Sequence, residues 1–201
     1  MKRTIHCVWC IITLLTVTNV SFAQATYGIR AGVLMSTAIS KEFTADYRLA
    51  FEAGGLAEFK LNKRFSTLTE LSYALKGHQH ETAKLNLHYI CLSVLPDFKI
   101  TRWMEIFLGP SLQYLIDAGF TEKTIAAAGY FHTINVEAIF GVRLFEVKNW
   151  GFDARVNYGL SKLMLPLYLR GVTSWDYTSS NNPHNLSFQL GTFYTFKKRS
   201  K

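Results

Sequence analysis

Between residues 132 and 163 apolar and polar side chains alternate with period two. Ile134, Val136, Ala138, Phe140, Val142 and Leu144 form one face, and Thr133, Asn135, Glu137, Gly141 and Arg143 form the other. After a turn, Phe152, Ala154, Val156, Tyr158 and Leu160 oppose Asp153, Arg155, Asn157, Gly159 and Ser161. Successive residues of a strand point to opposite faces, so each run predicts a strand with one apolar and one polar side.

Six more runs share the period. The first, about 27–36, sets Tyr27, Ile29, Ala31, Val33 and Met35 against Gly28, Arg30 and Gly32. The second, about 49–59, sets Phe51, Ala53, Gly55, Ala57 and Phe59 against Glu52, Gly54 and Glu58. In the third, 65–76, Phe65, Thr67, Thr69, Leu71, Tyr73 and Leu75 oppose Ser66, Glu70, Ser72 and Lys76. The fourth, about 87–99, has Ile90, Leu92, Val94 and Phe98 on one face. The fifth, 103–116, sets Met104, Ile106, Leu108, Leu112, Tyr114 and Ile116 against Glu105, Gly109, Ser111 and Gln113. In the last, Leu186, Phe188, Leu190, Tyr194 and Phe196 oppose Asn185, Ser187, Gln189 and Gly191.

The connections alternate in length. Residues 60–64, 100–102 and 147–151 are short turns; 37–48, 77–86, 117–130 and 164–184 are long and rich in Gly, Thr, Ser, Asn and His. In an up-and-down barrel this puts every short turn at one rim and every long loop at the other, the arrangement of periplasmic turns and extracellular loops. Both termini then fall on the periplasmic side, which requires an even strand number. A soluble lipocalin-type barrel also alternates, with its apolar face inward. Against it stand large residues along the whole apolar face, aromatics gathered near strand ends, and the lack of a Gly-x-Trp opening the first strand. The expected fold is all-β: an eight-stranded antiparallel up-and-down transmembrane barrel in the bacterial outer membrane, surrounded by its lipids.

Residues 1–23 read as a cleavable signal peptide. Lys2 and Arg3 precede a largely apolar stretch from Cys7 to Val20, and Ser21-Phe22-Ala23 has small residues where a signal peptidase cuts, leaving Gln24 first. A transmembrane anchor would need about 20 apolar residues, and Thr13, Thr16, Thr18, Asn19 and Ser21 interrupt this stretch. No cysteine sits at the cut, which argues against a lipid anchor. Residues 24–201 form one expected barrel domain with a short basic tail. Cys7 and Cys10 leave with the leader, so Cys91 remains alone and the mature chain has no internal disulfide.

The net charge of +8 falls to +6 without Lys2 and Arg3, and Lys197, Lys198, Arg199 and Lys201 carry four of those. The remaining cations cluster at turns. A nucleic-acid reader needs a basic face with stacking aromatics, and none is visible.

The chain also resembles the PorT-like family of small outer-membrane barrels from Bacteroidetes-type bacteria. The resemblance lies in Gly28-Ile-Arg-Ala-Gly32, Glu52-Ala-Gly-Gly-Leu-Ala-Glu58, Phe65-Ser, Glu70-Leu-Ser-Tyr73, Lys76-Gly77, Tyr89-Ile-Cys-Leu, Phe107-Leu-Gly-Pro110 and the closing Leu190-Gly-Thr-Phe-Tyr-Thr-Phe196. It departs from the family where Cys91 and Ser93 stand for a carboxylate and a proline, and where Lys197 to Lys201 follow the last aromatic. The resemblance implies fold and location; one family member is tied to a type IX secretion machine.

An eight-stranded barrel has an interior just filled by side chains. The expected lumen charges are Arg30, Glu52, Glu58, Glu70, Lys76, Glu105, Glu137, Arg143, Asp153 and Arg155. Mixed signs suit a network of internal pairs better than a selectivity ring. Unpaired charge in that interior is costly, so pairing should govern register: Arg143 should face Asp153 rather than Arg155.

Chemistry at the loop rim would need a nucleophile beside a base. Ser36, Ser40, His78, His80, Asp117, His132, Asp176, Ser179, Ser180 and His184 are available, but no nucleophile-elbow or metal signature frames them. His78-x-His80 with Glu81 is a weak metal motif, and Cys91 is expected mid-strand, away from reactive settings. Trp175-Asp-Tyr-Thr-Ser-Ser-Asn-Asn-Pro183 has the composition of a contact loop. The reading is a non-enzymatic barrel without cofactor or metal, structural or adaptor in role, docking an envelope partner through loops or turns. A narrow solute channel and a loop-rim hydrolase are the rivals.

Overall fold

The computed structural model describes residues 25–39, 47–77, 79–80, 83–120, 131–147, 149–162 and 184–196. Eight long strands are present: β1 (Ala25–Ile39), β2 (Arg48–Lys60), β3 (Phe65–Lys76), β5 (Ala83–Lys99), β6 (Met104–Phe120), β7 (Ile134–Val147), β8 (Trp150–Gly159) and β9 (His184–Phe196). The two-residue β4 (Gln79–His80) pairs with the start of β5 and extends that hairpin. Each long strand pairs antiparallel with its sequence neighbour, and β1 with β9 joins the ends into a closed eight-strand barrel. Closure leaves no free sheet edge, which the hydrocarbon core of a membrane demands.

The strands run longer than the alternation predicts at the end that carries the long loops. β1 reaches Ile39, β5 begins at Ala83 and β6 continues to Phe120. Backbone pairing persists there past the last clean apolar-polar alternation. The long loop predicted over 77–86 is largely replaced by the β4–β5 hairpin. Residues 1–24, which hold the expected leader, lie outside the described residues.

Side chains sort as the pattern predicts. Leu71, Leu108, Phe152 and Leu190 face outward and are 58–66% exposed, whereas Glu70, Glu137, Asp153 and Arg155 point inward and are buried. A soluble protein rarely shows so continuous an apolar exterior; a lipid-facing band accounts for it.

The short turns have local causes. Asn62 Oδ1 accepts from the backbone N–H of Arg64 and of Phe65, each at 2.8 Å, closing an Asx turn between β2 and β3. Between β5 and β6, the N–H of Ile100 donates to the Met104 carbonyl at 3.0 Å. Between β7 and β8, Asn149 adopts φ 86°, the left-handed region that asparagine tolerates better than most residues. Its carbonyl accepts from the Thr195 N–H at 2.9 Å and ties the turn to β9.

Candidate functional site

The barrel interior is the best-defined candidate site, and three charge clusters occupy it. In the middle, Arg30 Nε and Nη2 donate to the two oxygens of Asp153 at 2.8 and 2.6 Å. Arg155 Nε donates to the same Asp153 at 2.8 Å, while Arg155 Nη1 and Nη2 grip Glu70 at 2.5 and 2.7 Å. Glu52 lies 3.6 Å from Arg30 and accepts from Ser72 Oγ at 2.9 Å and Gln189 Nε2 at 3.2 Å. These bonds join β1, β2, β3, β8 and β9: Arg155–Glu70 crosses the lumen, while Glu52 meets Arg30 and Ser72 on the strands beside its own. Two forked guanidinium contacts supply geometry as well as attraction.

Toward the loop end, Lys76 Nζ donates to Glu137 at 2.6 Å, and Asn185 Nδ2 donates to the other Glu137 oxygen at 3.0 Å. At the turn end, Arg143 Nη1 stands 3.1 Å from Glu105, 3.2 Å from Asp97 and 3.7 Å from Glu58. Glu58 and Glu105 are only partly buried there, because they line the mouth.

All ten side chains singled out from sequence therefore enter ion pairs of the interior or its mouth. Sequence reasoning missed Asp97. It sits on the inner face of β5 with Tyr89, Cys91, Ser93 and Leu95, opposite the outward Ile90, Leu92, Val94 and Phe98. Assigning the apolar face of that strand already fixes the parity of Asp97, so the signal was present.

The inner face is also less polar than its charges suggest. Leu56, Leu68, Leu95, Phe107, Ile139 and Phe193 form one buried apolar cluster. Leu87, Tyr89, Cys91, Leu115 and Phe131, with Ala38, Ala74 and Ala118, form another toward the loop end. Phe107 and Phe193 lie against Gly141 and Gly151, where a Cβ would collide with each ring. The rings in turn support the guanidinium groups: Arg155 is 4.9 Å from the Phe107 centroid and Arg143 is 4.8 Å from that of Phe193. Small residues on one strand thus make room for aromatics that hold the arginines in place.

The expected register of β7 and β8 holds: Arg143 stands opposite Asp153 and Gly141 opposite Arg155. The two outer-membrane features, an apolar exterior and a filled polar interior, are thereby joined in one closed sheet. Residues 22–165 match the family model described as outer membrane protein beta-barrel domain. The chain belongs to that family. It resides in the bacterial outer membrane. Members of this barrel class put short turns in the periplasm and long loops outside, which orients the Arg143 mouth toward the periplasm.

Solved structures share the fold. Neisserial surface protein A aligns over 86% of this chain and 99% of its own, with TM-score 0.59 and 17% identity. Ail, the attachment invasion locus protein of Yersinia pestis, solved in complex with the heparin analogue sucrose octasulfate, aligns over 86% and 99% with TM-score 0.52 and 17% identity. No curated protein matches the chain.

The loop-rim residues do not converge among the described residues. Ser36 Oγ donates to the Gly77 carbonyl at 2.5 Å, His184 Nδ1 meets the Gly159 carbonyl at 2.8 Å, and Asp117 accepts from the Ala118 N–H. The His132 carbonyl accepts from Asn135. Ser40, Asp176, Ser179, Ser180, the side chains of His78, His80 and Glu81, and the 175–183 loop lie outside the described residues. Cys91 is a buried free cysteine in β5.

Proposed function

We propose that this protein is a non-enzymatic outer-membrane barrel of the PorT-like type, exported with a cleaved leader over residues 1–23. Its role is structural or that of an adaptor, docking an envelope partner through its long loops or periplasmic turns, as part of secretion or assembly machinery. One observation carries this reading: guanidinium–carboxylate pairs run from β1 to β8 to β3 straight across the lumen. A barrel whose interior is bonded shut offers its rims, not its bore, for function. Buried charges tied up in pairs are also poorly available for acid–base work.

Affinity isolation from the native outer membrane tests the adaptor role. The expected result is a partner recovered in stoichiometric amount after mild crosslinking. Recovery of the barrel alone, with crosslinker and without, contradicts it. Sequencing the N-terminus of the isolated protein should return Gln24.

A further inference from the structure

Five cations outside the lumen network's buried pairs gather on one side of the periplasmic mouth. Lys60, Lys63 and Arg64 lie on and beside the β2–β3 turn, and Lys99 and Arg102 on and beside the β5–β6 turn. The two turns adjoin because β3 pairs with β5: Phe65 stands opposite Phe98, and the Lys99 N–H donates to the Arg64 carbonyl at 2.8 Å. All five side chains are exposed, and no carboxylate occurs within 60–64 or 99–103. Lys99 reaches Glu105 at 3.7 Å. Among the described residues, Lys60, Lys63, Arg64 and Arg102 are in no ion pair.

Folding does not call for this concentration of like charge. Five cations on adjoining turns repel one another within a Debye length, and among the described residues the Lys99–Glu105 contact is the one ion pair that offsets it. The same turns are also apolar: Leu61, Phe65, Ile100 and Trp103 are each 45–56% exposed. The cations border a cavity of about 430 Å³ at the mouth, where Glu58 and Glu105 form part of the wall. Inside it, Glu58 and Glu105 already pair with Arg143 and Lys99, so the cations open to an anion are those at the lip. Leu61, Phe65 and Trp103 line the same cavity as the cations, so charge and apolar surface share one lip of a membrane barrel.

We propose that the joined β2–β3 and β5–β6 turns bind an anionic phospholipid of the periplasmic leaflet. Its phosphate sits among Lys60, Lys63, Arg64, Lys99 and Arg102, and its acyl chains run along Phe65, Ile100 and Trp103. An acidic protein segment would meet the charges but would leave the exposed apolar side chains among them uncovered. Juxtamembrane basic clusters attract anionic lipids in this way.

The test uses the full chain folded in phosphatidylcholine vesicles, in a Trp9→Phe, Trp150→Phe and Trp175→Phe background that leaves Trp103 as the fluorophore. Brominated phosphatidylglycerol should quench Trp103 as if enriched at least about fivefold over brominated phosphatidylcholine. That enrichment should fall with added salt, fall in part in each of K63Q, R64Q and R102Q, and vanish in the triple variant. The single variants keep the test open should the triple variant not fold. Equal quenching by both lipids overturns the proposal, as does enrichment that survives all three substitutions. Equal quenching by both lipids together with saturable binding of soluble polyglutamate would overturn it in favour of an acidic protein partner.

Discussion

Arg143 and Asp153 stand directly opposite one another across β7 and β8, yet their side chains bond in different directions. Asp153 receives Arg30 and Arg155, whereas Arg143 turns toward Glu105, Asp97 and Glu58. The register that electrostatics selects is the observed one, but the two side chains do not bond to each other: Arg143 takes Glu105, its opposite on β6, while Asp153 takes Arg155 of its own strand and Arg30 of β1. A slip by two residues would instead set Arg143 opposite Arg155, like charge beside like.

The bidentate Arg155–Glu70 pair is the interior contact whose loss should cost most. Breaking a buried pair by removing one partner leaves an uncompensated charge, worth about 3–5 kcal/mol. Arg155→Met and Glu70→Gln should each lower the urea midpoint of unfolding from lipid vesicles by that order. The double variant Arg155→Met/Glu70→Met should recover much of the loss, because two apolar side chains leave no orphaned charge.

Gly191 is expected to tolerate no side chain. A Cβ there would meet Arg30 Nη2 at 2.6 Å and Asp153 Oδ1 at 3.1 Å, so Gly191→Val must push apart the central pair. A cost of about 1–3 kcal/mol is expected from overpacking. Gly55→Ala is the control, since its Cβ would meet only the Gly28 carbonyl at 3.9 Å and face lipid. Equilibrium unfolding of the two variants should separate them clearly.

Legibility from sequence divides along physical lines. The outward faces were readable because lipid selects large apolar residues at every second position: Ile29, Leu71, Leu108 and Leu190 all follow that rule. Lumen charges were readable by parity, since Arg30, Glu70 or Asp153 on a strand with an apolar opposite face must point inward. Their partners were not readable. Arg30 and Asp153 are far apart in sequence and meet only because β1 closes against β9, and closure geometry leaves no local trace. The apolar inner residues Leu56, Leu68, Phe107 and Phe193 were obscured because they look like members of the outer face; what distinguishes them is position, not type. Gly141 and Gly151 read as generic strand glycines until the rings they accommodate are seen.

Charge on the lipid face should follow depth. Leu71 lies mid-strand in β3, opposite Gly55 and Leu92, and is 59% exposed. Leu71→Arg is expected to cost about 2–4 kcal/mol, as at a bilayer midplane. Leu49, near the loop rim and 72% exposed, should cost about 0–1 kcal/mol when replaced by Arg. Folding titrations of both variants into vesicles give the comparison directly.

The left-handed backbone of Asn149 gives a local test. With φ at 86°, Asn149→Gly should fold at least as well as the parent, whereas Asn149→Val should cost about 1–3 kcal/mol through strain. The rate of folding of the β7–β9 region, followed by Trp150 fluorescence, should slow only in the valine variant.

The central claim is that paired side chains close the lumen. Single-channel recording of the folded chain in planar bilayers tests it most directly. No discrete conductance steps are expected from the parent protein, and none from Glu137→Leu or Arg143→Leu, although both variants should unfold more readily. Reproducible ion-selective steps from the parent protein would contradict it and make the interior a conduit rather than a plug.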